Sequence, residues 1–166
     1  FSLKTHKALF ASAGEGGHGG AEHLWPVKVA VVMLAVITVT VALVREVFSV
    51  ERIHDLLESA RTRLAARGLG NVTLRQGDGT LGWQDFAPYD RVLVAAAAPR
   101  VPEALKRQLG ERGVLVIPVG DAGLQRLEVW RRAPSGAWES KRFGECRFVP
   151  LLGRDAWRDG RDEAGD

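Results

Sequence analysis

A single cysteine, Cys146, leaves no partner for a disulfide and no CxxC pair for a metal, and it fits a reducing compartment. An excess of one charge is lacking too. Twenty-three Lys and Arg stand against 20 Asp and Glu, a net of +3, and the basic residues are interspersed with acids. Nucleic-acid binding calls for a concentrated basic patch, so no nucleic-acid partner is expected. The chain opens on Phe1 in place of Met, which reads as a lost natural start, and no signal-peptide pattern marks that end. What is there is an ordinary globular composition, 46% hydrophobic and 26% charged over 166 residues, enough for one domain with a core.

Residues 1–23 read as a polar, Gly-rich loop. Within it, Gly14-Glu15-Gly16-Gly17-His18-Gly19 satisfies G-x-G-x-x-G. That pattern cradles an anion only between a strand and a helix, where loop amides and the helix N-terminus converge. Lys7 to Ala13 makes a poor strand, Pro26 interrupts a following helix, and Glu15 would oppose an anionic ligand, so a linker is expected. His6, His18 and His23 with Glu15 and Glu22 match no compact ligand spacing, and no metal is expected.

Residues 24–45 form a hydrophobic segment. Val29 to Val44 carries no charge and is bounded by Lys28 and Arg45. Its Val, Leu and Ile content favours membrane insertion by roughly 3 to 6 kcal/mol, and Trp25 suits an interface. A membrane contact through residues 24–44 is one reading; a buried helix or strand of a soluble core is the other, since the run is apolar on every face. Phe1 to Phe10, the Gly/Glu/His loop and Trp25 to Leu43 together resemble bacterial calcium/proton antiporters, in which such a stretch leads from a cytoplasmic loop into a transmembrane helix. That resemblance covers about a quarter of the chain, and the family's acidic ion-binding motifs are absent.

Residues 46–153 have a different pattern. Val47 to Arg52 is a β-rich run ending on the carboxylate of Glu51, the place where an α/β protein holds ribose hydroxyls. Arg52 to Arg67 follows, with Ile53, Leu56, Leu57, Ala60 and Leu64 at helical spacing and Gly68 and Gly70 beyond. Asn71 to Gln76 is a second strand, Arg91 to Ala95 and Gly113 to Val119 are uninterrupted buried strands, and Pro102 opens a helix reaching Leu109. Leu124 to Arg132 and Trp138 to Phe148 alternate around Pro134-Ser135-Gly136 as an antiparallel pair. The expected class is α/β, a doubly wound sheet with a C-terminal β-hairpin. Residues 154–166 are a polar tail.

The stretch from residue 46 to about 153 resembles the protein-L-isoaspartate O-methyltransferases. The resemblance is carried by Val47 to Arg52, by Gly77-Asp78-Gly79-Thr80-Leu81-Gly82-Trp83, and by Ala87-Pro88-Tyr89-Asp90-Arg91 leading to Ala95-Ala96-Ala97-Ala98-Pro99. It continues through Val101 to Leu105, Val116 to Gly120 and Arg147 to Leu151. It implies a Rossmann-like class I methyltransferase sheet and methyl transfer from S-adenosylmethionine to the isoaspartyl carboxylates of damaged proteins or peptides. Glu51, Arg52, Asp78, Gly79 and Ala95 would bind cofactor; Ala97, Pro99, Val149, Pro150 and Leu151 would bind substrate; no catalytic acid, base or nucleophile is assigned. Cytoplasmic location follows from the same resemblance, membrane association if residues 24–44 insert.

The family places a Gly-rich loop about twenty residues before the Glu51 strand, and Met33 to Arg45 contains no glycine. Losing about three charged hydrogen bonds, at roughly 1.5 to 3 kcal/mol each, would lower cofactor affinity by some three to six orders of magnitude. The chain therefore reads as a junction: an antiporter-like piece, then a methyltransferase body without its first strand and loop. Impaired methyltransferase is the leading expectation. A non-catalytic, membrane-anchored fragment is the alternative, and an interaction module binding neither cofactor nor lipid a third.

Overall fold

The computed structural model describes residues 7–12, 46–121 and 123–158. The Gly14–Gly19 pattern, the histidines before it and after it, and the Val29–Val44 run lie outside the described residues, as does the end of the polar tail. Among the described residues, no helix is long and apolar enough to cross a membrane.

Among the described residues, seven strands form one sheet. They are β1 (Lys7–Ser12), β2 (Glu46–Glu51), β3 (Val72–Gln76), β4 (Tyr89–Val94), β5 (Leu109–Gly120), β6 (Gln125–Arg132) and β7 (Trp138–Cys146). The described residues include the helices α1 (His54–Ala66) and the short α2 (Glu103–Arg107). Spatial order is β3-β2-β1-β4-β5-β6-β7. The first five strands run parallel, and β6 and β7 add an antiparallel edge. The doubly wound class and the hairpin expected from sequence are both present.

One expectation is corrected. Lys7 to Ala13 was a poor strand by composition, and the sheet was to lack its first strand; instead β1 takes the central position. It pairs with β2 from Lys7↔Glu46 to Ser12↔Glu51 and with β4 from Ala8↔Arg91 to Ala11↔Val94. Local propensity misleads because Lys and Ala are depleted in strands on average. A strand flanked on both sides gains two backbone ladders, and that tertiary pairing outweighs the propensity deficit. Leu9 and Ala11 are buried, as a central parallel strand requires.

The two sheet faces differ. On one, Leu9, Ala11, Phe48, Val50, Val92, Val94, Leu115 and Ile117 are all buried. The connection from β3 to β4 covers it: Phe86 stacks on Phe48 with ring centroids 4.3 Å apart, and Trp83 and Tyr89 meet Phe48 edge-on at 5.8 and 5.9 Å. Leu105 of α2 joins the same core. On the other face, α1 lies against β2 and β3, and the row Leu74, Ser49, Leu93, Val116, Val129 is half-buried. Of the α1 residues at apolar spacing, Leu57 is buried while Leu56 is exposed. The hairpin is tied to the body by Lys106, whose ammonium sits 4.9 Å from the Trp130 ring centre and 5.7 Å from that of Trp138 and pairs with Glu103.

Tyr89, the only tyrosine, is fully buried and donates to the Trp83 carbonyl at 2.6 Å. Burial pushes its phenol well above the ordinary 10.0, with Asp85 adding to the rise and Arg75 opposing it. The native state keeps this proton at pH values where the unfolded chain releases it, so its contribution is complete below pH 10 and is lost as pH rises further. Urea unfolding of wild type should show stability falling above pH 10 with a slope approaching about 1.4 kcal/mol per pH unit. Tyr89→Phe should lose about 1 kcal/mol at neutral pH and flatten that alkaline slope. An equal slope in both proteins would show that another group is responsible.

Candidate active site

The strand order reverses between β1 and β4: the chain steps outward from β1 through β2 to β3, then returns to β4 on the far side of β1. In such sheets the crevice opens at the carboxyl ends of the strands beside that reversal. Ser12, Glu51 and Gln76 end three adjacent strands in register there. Across the reversal the Ala95 N–H donates to the Ala11 carbonyl at 2.8 Å, which fixes the start of the Ala95–Pro99 segment against β1.

Glu51 is only 8% exposed, and its Oε1 accepts the Ile53 N–H at 2.9 Å. The carboxylate thus serves the start of α1 while standing at the strand end, with two oxygens and about four lone-pair sites in all. Its carbonyl receives the Gly77 N–H at 3.0 Å, which draws the Gly77-Asp78-Gly79 turn beside it. Gly79 lies so close to β1 that a Cβ there would stand 2.8 Å from the Ala11 Cβ. Glycine is required by this approach, and the approach is what brings the turn to the switch point.

Two buried glutamines hold the surrounding loops. Gln108 accepts the Trp83 N–H at 2.8 Å and donates to the Leu81 carbonyl at 2.8 Å, so both ends of its amide are used. Gln125 accepts the Phe148 N–H at 2.8 Å and donates to the Asp121 carbonyl at 2.6 Å. The second pair aims the segment after β7 back across the strand ends. There Ala97 donates to the Val149 carbonyl at 2.8 Å and accepts from the Leu151 N–H at 2.7 Å. Trp157 Nε1 reaches the same Ala97 carbonyl at 3.1 Å.

Most residues expected from sequence therefore converge. Glu51, Asp78, Gly79 and Ala95 surround the ends of β1 to β4, and Ala97, Val149 and Leu151 form the adjoining wall. Arg52 is half-buried behind Glu51, and its carbonyl accepts from Gln76 Nε2 at 3.4 Å. Pro99 and Pro150 are exposed at the outer rim. Asp78 differs in one respect: its carboxylate, expected to face an adenine edge, already accepts the Thr80 N–H, the Thr80 hydroxyl and the Arg154 N–H. Gln108, Gln125, Thr80 and Trp157 were not singled out from sequence, because an isolated glutamine or threonine in an apolar neighbourhood has no spacing that marks it. Cys146 is half-buried with its Sγ 3.6 Å from the Gln125 carbonyl, and burial pushes its thiol up, away from the thiolate. Among the described residues, no three His, Cys, Asp or Glu side chains converge as a metal site.

Two open grooves lie away from this edge. One, of about 370 Å³, runs between α1 and β3 and is lined by Arg61, Leu64, Leu69, Val72 and Leu74; the other lies on the β6–β7 face beside Phe143. The first is mainly apolar, and the second carries the exposed charges of Arg131, Glu139 and Lys141; the carboxyl edge, where the buried Glu51 carboxylate stands at the strand-order reversal, is the candidate site.

Known proteins resemble the chain in sequence and in fold. The family described as "Protein-L-isoaspartate(D-aspartate) O-methyltransferase (PCMT)" matches residues 30–156, which reaches upstream of β2. A protein-L-isoaspartate O-methyltransferase 2 of Marinobacter nauticus is 48% identical over 120 residues, 72% of this chain and 55% of that protein. The protein-L-isoaspartate O-methyltransferase of Methylorubrum populi is 55% identical over 107 residues, 64% of this chain and 50% of the relative. The chain thus spans about half the length of the curated relatives it matches. A solved protein-L-isoaspartate O-methyltransferase superposes with a TM-score of 0.65 at 24% identity, covering 92% of this chain and 44% of the other. A Plasmodium falciparum structure, titled as a putative enzyme of that kind in complex with S-adenosyl-L-homocysteine, gives 0.62 at 18%, covering 89% of this chain and 66% of the other. These two likenesses establish the fold.

Gly79→Ala should cost about 1–3 kcal/mol by overpacking against β1. An unchanged urea midpoint would show instead that β1 has room to yield.

Proposed function

Since the chain belongs to the protein-L-isoaspartate(D-aspartate) O-methyltransferase family, we propose that it binds S-adenosylmethionine at the carboxyl ends of β1 to β4 and methylates the side-chain-like carboxylate of isoaspartyl residues in damaged proteins or peptides. The observation that carries this reading is the buried Glu51 carboxylate standing beside the Gly77–Gly79 turn at the switch point.

The residues present fit that cofactor. Glu51 would take the paired ribose hydroxyls through charge-assisted bonds. Arg52 stands behind it, and the close approach of Gly79 to Ala11 of β1 holds the Gly77–Gly79 turn beside the ribose position. Ala95 would border the reacting end. When bound, the cofactor supplies a methyl group on a sulfonium and leaves as the neutral thioether. An isoaspartyl carboxylate is already ionised at neutral pH, so this chain needs no strong general base. Its task is to align that carboxylate with the methyl group and keep water away. Pro99, Val149 and Pro150 would meet the peptide around the acceptor, while Ala97 and Leu151, buried and bonded to each other, would back that wall.

The expected impairment rested on a missing first strand and on an interval without glycine before β2. With β1 at Lys7–Ser12, the residues that directly follow the first strand in sequence are Ala13 and the glycines of the Gly14–Gly19 pattern. The condition that a strand precede that pattern is therefore met, and the premise for a large loss of affinity is weakened. The antiporter-like origin proposed for residues 1–43 has no support from the family match, which begins at residue 30.

Calorimetry with S-adenosylmethionine and S-adenosylhomocysteine tests the reading. Micromolar affinity is expected for wild type, and Glu51→Gln should weaken it about tenfold or more. Methyl ester should form on an isoaspartyl peptide and not on its aspartyl isomer. No measurable binding of either cofactor form would return the chain to the impaired reading, and binding without regard to Glu51 would place the cofactor elsewhere.

A further inference from the structure

The segment after β7, Phe148 to Trp157, runs as a strap along the Ala97 wall, and several independent anchors hold it. The buried Gln125 takes the Phe148 N–H at 2.8 Å, Leu151 is a core residue, and Ala98, in the wall itself, bridges to Val119 of β5. The far end of the strap carries Trp157. Its backbone N–H donates to the Leu151 carbonyl at 3.1 Å, its carbonyl receives the Gly153 N–H at 2.9 Å, and its indole Nε1 donates to the Ala97 carbonyl at 3.1 Å. Backbone and ring edge of one residue are thus both fixed against the wall.

Four tryptophans stand among the described residues, and three have partners for their rings. Trp83 meets Phe48 and Phe86 edge-on and has Arg75 over it; Trp130 and Trp138 face Lys106, and Trp138 faces Arg132 as well. Trp157 is the exception. It is half-buried and tied down at its N–H, yet no aromatic or cationic group among the described residues lies on its ring. The exposed Pro150, which bridges to Ala97, and the half-buried Val149 belong to the same wall. A rigid ring with a polar handle beside such a wall is suited to contact a ligand.

We infer that Trp157 is a specificity-determining residue: its indole is a platform on which an aromatic side chain next to the isoaspartyl residue of the peptide stacks. This rests on the proposed methyltransferase reading. The hydrogen bond to Ala97 holds the ring in place before the peptide arrives, so little side-chain entropy is lost on stacking. Its anchor is the peptide unit that backs Val149 and Pro150, so a residue flanking the acceptor comes within reach of the ring. An indole face also attracts cations. Arg100, which follows the rim residue Pro99, and Arg154 and Arg158, on either side of Trp157 in the chain, are all exposed. Their charges disfavour a lysine or arginine on the peptide, which leaves the aromatic side chain as the preferred occupant.

The test uses isoaspartyl peptides that differ only in carrying phenylalanine, lysine or alanine directly before or directly after the isoaspartyl residue. For wild type, kcat/KM should favour phenylalanine over alanine about fivefold at one of the two positions, with no gain for lysine. Trp157→Ala should bring that ratio to about one, and Trp157→Phe, which keeps a ring without the N–H anchor, should leave it at about twofold. A purely structural role for Trp157 would lower turnover of both peptides together and leave the ratio unchanged in Trp157→Ala, and that result overturns the inference. So does a wild type with no preference for phenylalanine, or with an equal preference for lysine. If Trp157→Ala fails to fold, Trp157→Leu, which keeps apolar volume without a ring, reads the same ratio. If wild type forms methyl ester on none of the peptides, the proposed function fails and the platform with it; turnover whose peptide preference ignores Trp157 removes the platform alone.

Discussion

Everything at the carboxyl edge depends on β1 being paired on both sides. A parallel strand gains its stability from two neighbours, and β1 gives β2 and β4 the partner that each would otherwise lack. With β1 in place, the ends of β2 and β4 stand one strand apart, so that Glu51 and Ala95 belong to one crevice. The small side chain of Ala11 lets Gly79 approach, and its carbonyl anchors Ala95. One short, compositionally unremarkable strand thus sets both halves of the candidate site.

Around that strand, the connections sort onto the two faces as right-handed crossovers demand. The outward step from β2 to β3 puts α1 on one face, and the return to β4 puts the Trp83–Phe86 segment on the other. The consequence is an uneven sheet. The face under the aromatic cluster is closed, and its polar entries are bracketed by Gln108, whose amide neutralises two loop groups without a charge. The opposite face is half-buried along Leu74, Leu93, Val116 and Val129 among the described residues. Rigidity is therefore concentrated on the side where the Gly77–Gly79 turn and the strap are attached.

Sequence alone made much of this legible. Val47 to Glu51 is a β-rich run ending on a carboxylate, Arg91 to Ala95 and Gly113 to Val119 are uninterrupted apolar runs, and the Gly-Asp-Gly turn and the Ala95–Pro99 run announce close packing. What sequence left out has a common cause. β1 is short and carries Lys and Ala, so only long-range pairing identifies it, and a glycine pattern directly after it was set aside for want of a strand. Thr80, Gln108, Gln125 and Trp157 act through partners twenty or more residues away, which no local window contains. Asp78 is the opposite case: its motif was visible, but one of the groups that occupy its carboxylate, the Arg154 N–H, comes from the far end of the chain.

The pairing of β1 with β4 joins residues half the chain apart, Ala8 with Arg91. Contacts of such high sequence separation form slowly, because loop closure must be met before the ladder rewards it. The β2–α1–β3 unit and the β5–β6–β7 meander are local and can assemble earlier. Until β1 is seated, β2 and β4 present bare, apolar strand edges to solvent, the kind of edge that recruits a second chain. The same strand that completes the crevice is thus the seam whose late closure governs how much of the newly made protein is lost to aggregation, and expression at low temperature or low concentration favours the closed sheet.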